Sequence, residues 1–371
     1  MARKRKRQKK SGKPRSAPKP PPPPKSRPRP LIARPGARFD CFSDGLCCTD
    51  IHALGPMTRS EVKHVRSLIP DAVVYNDEVE GHCMAYAANG GCAQLENGLC
   101  GIHAKHGPEH KPGGCRRFPY GLVSTPHGGR VTTEHRCPCR TLGERPELDL
   151  EDAERSLLDA AGRLEVDQEA PDEVQLTVED DVSFERYAEL ESGLLERLAA
   201  GERIEDVLAA TAFPELHKSC WQVYAAEFLD MRDGTAGGAS MSWFGDALLG
   251  LIEGHTPPER PRPWAPSFDK AIARAKQPGD PEQILRDWVA DEIWMLRWLE
   301  WDCPFDVARA ELTTRVAMAR WLIERLRPLG LREDRCAAEA VMVVELGACT
   351  NQWPEVVDAI ANDPSPAQPL G

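Results

Sequence analysis

The chain is 371 residues long and 41% apolar, enough for two or three domains with a sizeable core. No run of about 18 apolar residues occurs, which excludes a transmembrane helix, and no apolar stretch follows the basic N-terminus, which argues against a secretory signal peptide. The net charge of -11 divides unevenly: residues 1–38 carry 15 Lys or Arg and no acid, and the remainder carries 32 basic against 58 acidic residues. A cytoplasmic protein without membrane contact is expected. In that reducing setting 13 cysteines point to metal rather than to disulfides.

In chain order, residues 1–38 read as a disordered basic, Pro-rich tail. "RKRKRQKK" repels itself and "PKPPPPPKSRPRP" favours polyproline II, so the segment is expected to add nothing to a core. Its charge suits nucleic acid or an anionic surface, but no aromatic residues interleave it for stacking on bases. A solvated tail is the preferred reading.

Residues 39–142 hold nine of the 13 cysteines and eight of the ten histidines, among many glycines. Thr58 and Glu61 stand in capping-box spacing ahead of Val62, Val65 and Leu68, predicting a helix there, and "VTTEH" reads as a short strand. The rest is loop-rich, as expected of a small module held together by metal. Residues 143–371 are predicted to form an all-α helical domain, making the fold mainly α. Apolar residues recur at three and four along Leu285, Trp288, Val289, Ile293, Leu296 and Leu299, and from Phe305 to Leu326 with a stop at Pro328. Similar stripes cover 184–200, 218–231, 241–252 and 333–347. All nine tryptophans lie after residue 220, where core packing is their expected role. Cys220, Cys303, Cys336 and Cys349 fall on these stripes and read as small buried hydrophobes.

The cysteine spacing is Cys41-x5-Cys47-Cys48, then Cys92-x7-Cys100, Cys115 and Cys137-Pro138-Cys139, which matches no simple zinc ribbon. Glycines beside each knot (Gly45, Gly90, Gly91, Gly98, Gly113, Gly114) let backbone approach an inorganic centre and donate to sulfur. Adjacent side chains diverge, so Cys47 and Cys48 suit two metal atoms, or one ligates while the other packs. A vicinal disulfide is the alternative that a reducing cytosol disfavours.

"FDCFSDGLCC" followed by "GGCAQLENGLCGIHAKHGPEHKPGGCRRFPYG" resembles the YkgJ-like CxxCxxCC cysteine-cluster family, described as zinc- or iron-chelating domains. "EHRCPC" is similar to the later Cys-Pro of the related flagellin lysine N-methylase branch. The resemblance covers roughly residues 39–140 and implies Cys41, Cys47, Cys48, Cys92, Cys100, Cys115 and Cys137 as metal ligands, with Cys83 and Cys139 in reserve. Asp44 stands where the family name expects a cysteine; a carboxylate ligand and an ordinary Asp-Gly turn both remain open, the turn being preferred. His103 and His52 are expected to support the site rather than ligate it, and Gly107-Pro108 argues against a helical face shared by His106 and His110. Arg116 and Arg117 are candidates for offsetting cluster charge.

Seven thiolates exceed the four of a structural zinc site or of one [4Fe–4S] cluster. The expected function is a cysteine-cluster protein binding an iron–sulfur cluster, or zinc, with the helical domain contacting a protein partner or substrate. The resemblance also implies an S-adenosylmethionine-dependent protein lysine N-methylase-like enzyme, although no radical-enzyme CxxxCxxC occurs. A zinc-stabilised, non-catalytic adaptor is the third reading. If metal gathers the ligands, the sulfurs should converge on one or two pockets. Around zinc they would stand about 3.8 Å apart, and around a cubane, about 6 Å apart across a void.

Overall fold

The computed structural model describes residues 28–361 apart from 50, 53–54, 78, 89, 160, 217, 231–235, 253–254 and 276. Among them the chain is mainly α-helical, with one four-stranded sheet and three two-stranded ribbons. No helix of the described residues is long and apolar enough to cross a membrane.

The helix Glu333–Ala348 is buried along almost its whole length and packs against both Pro281–Met295 and Phe305–Leu326. These helices begin and end where local chemistry directs. The Asp280 carboxylate accepts the Gln283 N–H at 2.7 Å ahead of Pro281, and the Phe305–Leu326 helix stops before Pro328. Helices Phe184–Ala199, Lys218–Asp230 and Ala236–Gly250 follow the remaining stripes, and Leu150–Leu157, Ala265–Arg274 and Gln352–Ala361 add to them. Trp221, Trp264, Trp288 and Trp353 are wholly buried, as core tryptophans.

The body is not all-α. Strand Glu173–Thr177 pairs antiparallel with Asp180–Ser183, and Gln168–Glu169 joins the large sheet. That sheet is centred on the hairpin Tyr120–Thr125 and Gly128–Thr133, turning at Pro126 and His127. A single core runs from Ala37 through the hairpin to Ile360, so the boundary expected at residue 142 is no break in packing. A separate small core of Val62, Val65, Ala72, Val73 and Ile102 holds the lobe that carries most of the cysteines. The helix Arg59–Leu68 there starts with the expected capping box at Thr58 and Glu61.

The tail expectation is corrected at its C-terminal end, while residues 1–27 lie outside the described residues. Leu31–Ala33 is a strand parallel to Gly128–Thr133, and Ala37 and Arg34 are buried. Arg34 Nε donates to Asp291 Oδ1 at 2.6 Å and its terminal nitrogen pairs with Asp287. Arg140 spans the same two carboxylates, and His135 Nε2 lies 2.9 Å from Asp291 Oδ2. Two buried anions therefore meet two buried cations. Removing one leaves a desolvated charge unpaired. Arg34→Ala should cost about 3–5 kcal/mol in denaturant unfolding, whereas Arg29→Ala, in an exposed pair with Glu154, should cost less than about 1 kcal/mol.

A second charged group sits inside the helical body. Arg315 donates to Glu345 at 2.6 Å and to Glu292 at 2.8 Å, and its Nε lies 2.7 Å from Glu311. Arg297 adds a bond to Glu345 at 3.0 Å. Three carboxylates thus share two guanidinium groups. Burial, opposed by Arg297 and aided by Glu345, pushes Glu292 up to about 7. At Glu345 burial is outweighed by Arg297 and Arg315, which hold it at about 2. Between pH 4.5 and about 7 the folded state keeps a proton on Glu292 that the unfolded chain has lost, so its contribution to stability falls as pH rises. Glu345 acts with the opposite sign, its contribution being lost as pH falls from 4.5 towards 2. Glu292→Gln should flatten the decline of the urea midpoint between about pH 5 and 7. An unchanged slope would put the excess charge elsewhere.

Candidate metal centre

The first cysteine knot is a tight turn. Gly45 has φ +82 and starts the 3-10 turn Leu46–Cys48; a Cβ on it would lie 2.7 Å from the Gly98 carbonyl oxygen. Glycine alone fits there, and it lets the knot settle on the turn of the ribbon Leu95–Glu96 and Leu99–Cys100. The Cys92 N–H donates to the Cys48 carbonyl at 2.8 Å, drawing a third segment in. Cys115 arrives on the short helix Gly113–Arg117.

Five of the seven expected ligands thereby line one cavity of about 170 Å³: Cys47, Cys48, Cys92, Cys100 and Cys115. Cys83, held in reserve by the sequence, stands on the same wall. Backbone donors face the sulfurs. The Gln94 N–H reaches Cys92 Sγ at 3.4 Å, and the N–H groups of His103 and Ile102 face Cys100. A hydrogen bond from Cys48, helped by those backbone donors and by Lys111, brings Cys100 down to about 5 against the cost of burial. Cys47 is lowered in the same way, by Cys48 first and by Lys111. Burial raises Cys92, and pushes Cys115 up to about 12 despite Lys111. Half-buried thiols beside a lysine, with two drawn towards thiolate, form a soft donor set whose protons a metal would displace.

The other two expected ligands, Cys41 and Cys137, lie apart, with the reserve Cys139 and with Asp44. Cys41 and Cys137 each contact Cys139, whose thiol points at Asp44 Oδ2 at 2.7 Å. Asp44 is buried, and its Oδ1 accepts the Leu46 N–H at 2.8 Å. It therefore makes the turn with one oxygen and faces sulfur with the other. Backbone donors again serve these sulfurs: Phe42 N–H to Cys139 at 3.0 Å and Ser43 N–H to Cys41 at 3.4 Å.

Several supporting expectations change. The His103 side chain is exposed, and only its backbone serves the cavity. His52 is buried on the cavity wall against the Phe118 ring at 4.8 Å; burial first, and then Arg136, keep its pKa well below 6.5. His106 and His110 do approach, with ring centroids 6.3 Å apart, because two short helical turns flank Gly107, and His110 meets His64 at 3.0 Å. Arg116 donates to the Leu158 carbonyl and Arg117 pairs with Asp167, so both are engaged away from the sulfurs. Cys303 and Cys336 are buried as expected, Cys349 is exposed, and the Cys220 side chain lies outside the described residues.

Among the described residues, the group of three metal-type ligand atoms lying within 4.8 Å of one another is His135, Asp287 and Asp291. Arg34 and Arg140 already neutralise it. Cysteine sulfurs meet in pairs, such as Cys48 with Cys100, but among the described residues no three of them lie within 4.8 Å of one another. Sequence reading missed Lys111 and the division of the sulfurs into two groups; a lone Lys four residues before Cys115 carried the only local signal for the first.

No family model, curated protein or solved structure matches the chain. The resemblance to cysteine-cluster proteins therefore rests on its motif residues.

If metal binds in this cavity, Cys47→Ser and Cys100→Ser should each remove it, because both line the cavity, while Cys336→Ala should leave metal per folded chain unchanged. Metal analysis by plasma emission decides the matter. Equal losses in all three variants would sink this division of the cysteines.

Proposed function

We propose that the chain is a metal-binding cysteine-cluster protein that carries an iron–sulfur cluster in the five-sulfur cavity. One observation carries this reading: five sulfurs from four separate stretches of sequence line a common cavity of about 170 Å³. A single water needs only about 10–15 Å³ of such space, so the cavity suits an inorganic core better than one ion. Zinc remains compatible with the all-sulfur donor set.

A bound cluster supplies redox chemistry, or an open iron position. The chain's own residues do the rest. Cysteines hold the cluster, Lys111 offsets its negative charge, and the backbone N–H groups at Gln94, Ile102 and His103 tune its potential. Val79 and Tyr86 line the cavity and are exposed, so a protein partner or substrate would meet the centre at that apolar rim. The same space beside Met57, Met84 and Tyr86 favours a second reading, in which S-adenosylmethionine occupies it and a protein lysine is methylated. A reducing, cytoplasmic setting belongs to the proposal, as the 12 described cysteines are all free thiols.

Anaerobically purified protein should contain iron and acid-labile sulfide in equal amounts, with broad visible absorption that bleaches on reduction. Colourless protein with stoichiometric zinc and no sulfide would overturn the cluster and leave a zinc-stabilised adaptor.

A further inference from the structure

The group formed by Cys41, Asp44, Cys137 and Cys139 lies outside the cavity just described, and it has a cation of its own. Arg145 is 4% exposed, yet its N–H groups reach only carbonyl oxygens: Cys139 at 2.7 Å, Glu144 at 2.9 Å and Pro138 at 3.4 Å. Its guanidinium lies 3.6 Å from the centroid of the Phe42 ring, on the backbone between Cys41 and Ser43. Among the described residues it has no carboxylate within ion-pair distance. Burying a guanidinium without an anion is costly, and Arg145 is held against the group at the Cys139 backbone.

We propose that Cys41, Asp44, Cys137 and Cys139 form a second metal centre, binding one divalent ion of the zinc type through three thiolates and a carboxylate. Cys139 is the hub, touched by Cys41, Cys137 and Asp44. The other three ligand atoms surround it loosely, no three of the four lying within 4.8 Å of one another, and side-chain rotation would draw them to the roughly 3.8 Å spacing of a closed tetrahedron as the ion binds. Three thiolates and one carboxylate around a divalent ion leave two negative charges, and Arg145 is a buried cation that offsets one of them. The Asp44 oxygen that accepts from Leu46 stays in its turn, so the carboxylate is held with its second oxygen towards the ion. The inference goes beyond the cluster reading, and its test separates the two.

The experiment is zinc, iron and sulfide analysis of the purified holoprotein and its variants after dialysis against limiting zinc. Wild-type protein should hold one zinc besides its iron and sulfide. Asp44→Ala and Cys139→Ser should lose that zinc and keep iron and sulfide, while Cys100→Ser should do the reverse. Asp44→Cys, which supplies a fourth thiolate, should retain zinc and guards against mistaking a folding defect for a lost ligand. If the cavity proves to hold zinc rather than a cluster, wild type should carry two zinc ions and Asp44→Ala one, which upholds this centre while the cluster reading fails. Loss of iron and sulfide along with zinc in Asp44→Ala would make all the sulfurs one centre and overturn the proposal. So would equal zinc in wild type and Asp44→Ala.

Discussion

The molecule is organised around a buried exchange of charge: Asp287 and Asp291 on the helix Pro281–Met295, met by Arg34 and Arg140. Each partner comes from a different part of the chain, so the four groups fix how the N-terminal strand, the segment after the sheet hairpin and the helical body sit together. Such a cluster is tolerated in a core only if it is neutral and its hydrogen bonds are filled. The count is balanced here. Burial and Arg140 lower the His135 pKa, so it joins Asp291 as a neutral imidazole and does not upset the sum. Cys137 and Cys139 lie between His135 and Arg140, so the same charges set where those sulfurs stand.

The cysteine lobe is built on the opposite principle. Its own core is five modest side chains, too little to order a loop-rich segment without help. Help comes from the body, where Arg274 on the helix Ala265–Arg274 reaches the Phe42 carbonyl beside the first knot. On the proposed reading, the remainder would come from a metal bound by the sulfurs, as in small metal domains where ligand binding and folding are one free energy.

Most helices were legible in the sequence because a three-to-four apolar period is a local signal repeated over many residues. The capping box at Thr58 was legible for the same reason: its partners are three residues apart. Leu31–Ala33 was not. Three residues after a proline run carry no period, and their strand exists because Gly128–Thr133, nearly a hundred positions away, offers an edge. The ribbon Glu173–Thr177 and Asp180–Ser183 was lost to a similar cause, since its strands are short and only Val174 is buried. At the site, spacing identified which cysteines matter as candidates but not how they group, because grouping depends on how distant loops stack. Asp44 posed a choice between turn and ligand that its two oxygens allow it to decline. Arg145 left no trace at all in the sequence; a buried cation is recognised only by the carboxylate it lacks.

The two sulfur groups are separate but not independent, because one loop serves both. Cys41 and Asp44 face one group and Cys47 and Cys48 the other, and Cys47 feels the charge of both Asp44 and Cys41 across the turn. Thiolate charge gathered at one end of this loop raises the cost of thiolate charge at the other, unless cations neutralise each group where it forms. The structure meets that condition locally, with Lys111 at the cavity and Arg145 beside Cys139. Metal at either position would lower the negative charge that the other must bear, and it would also order the shared turn at Gly45. Through these two effects, one electrostatic and one conformational, filling one site would favour filling the other even though no ligand is common to both.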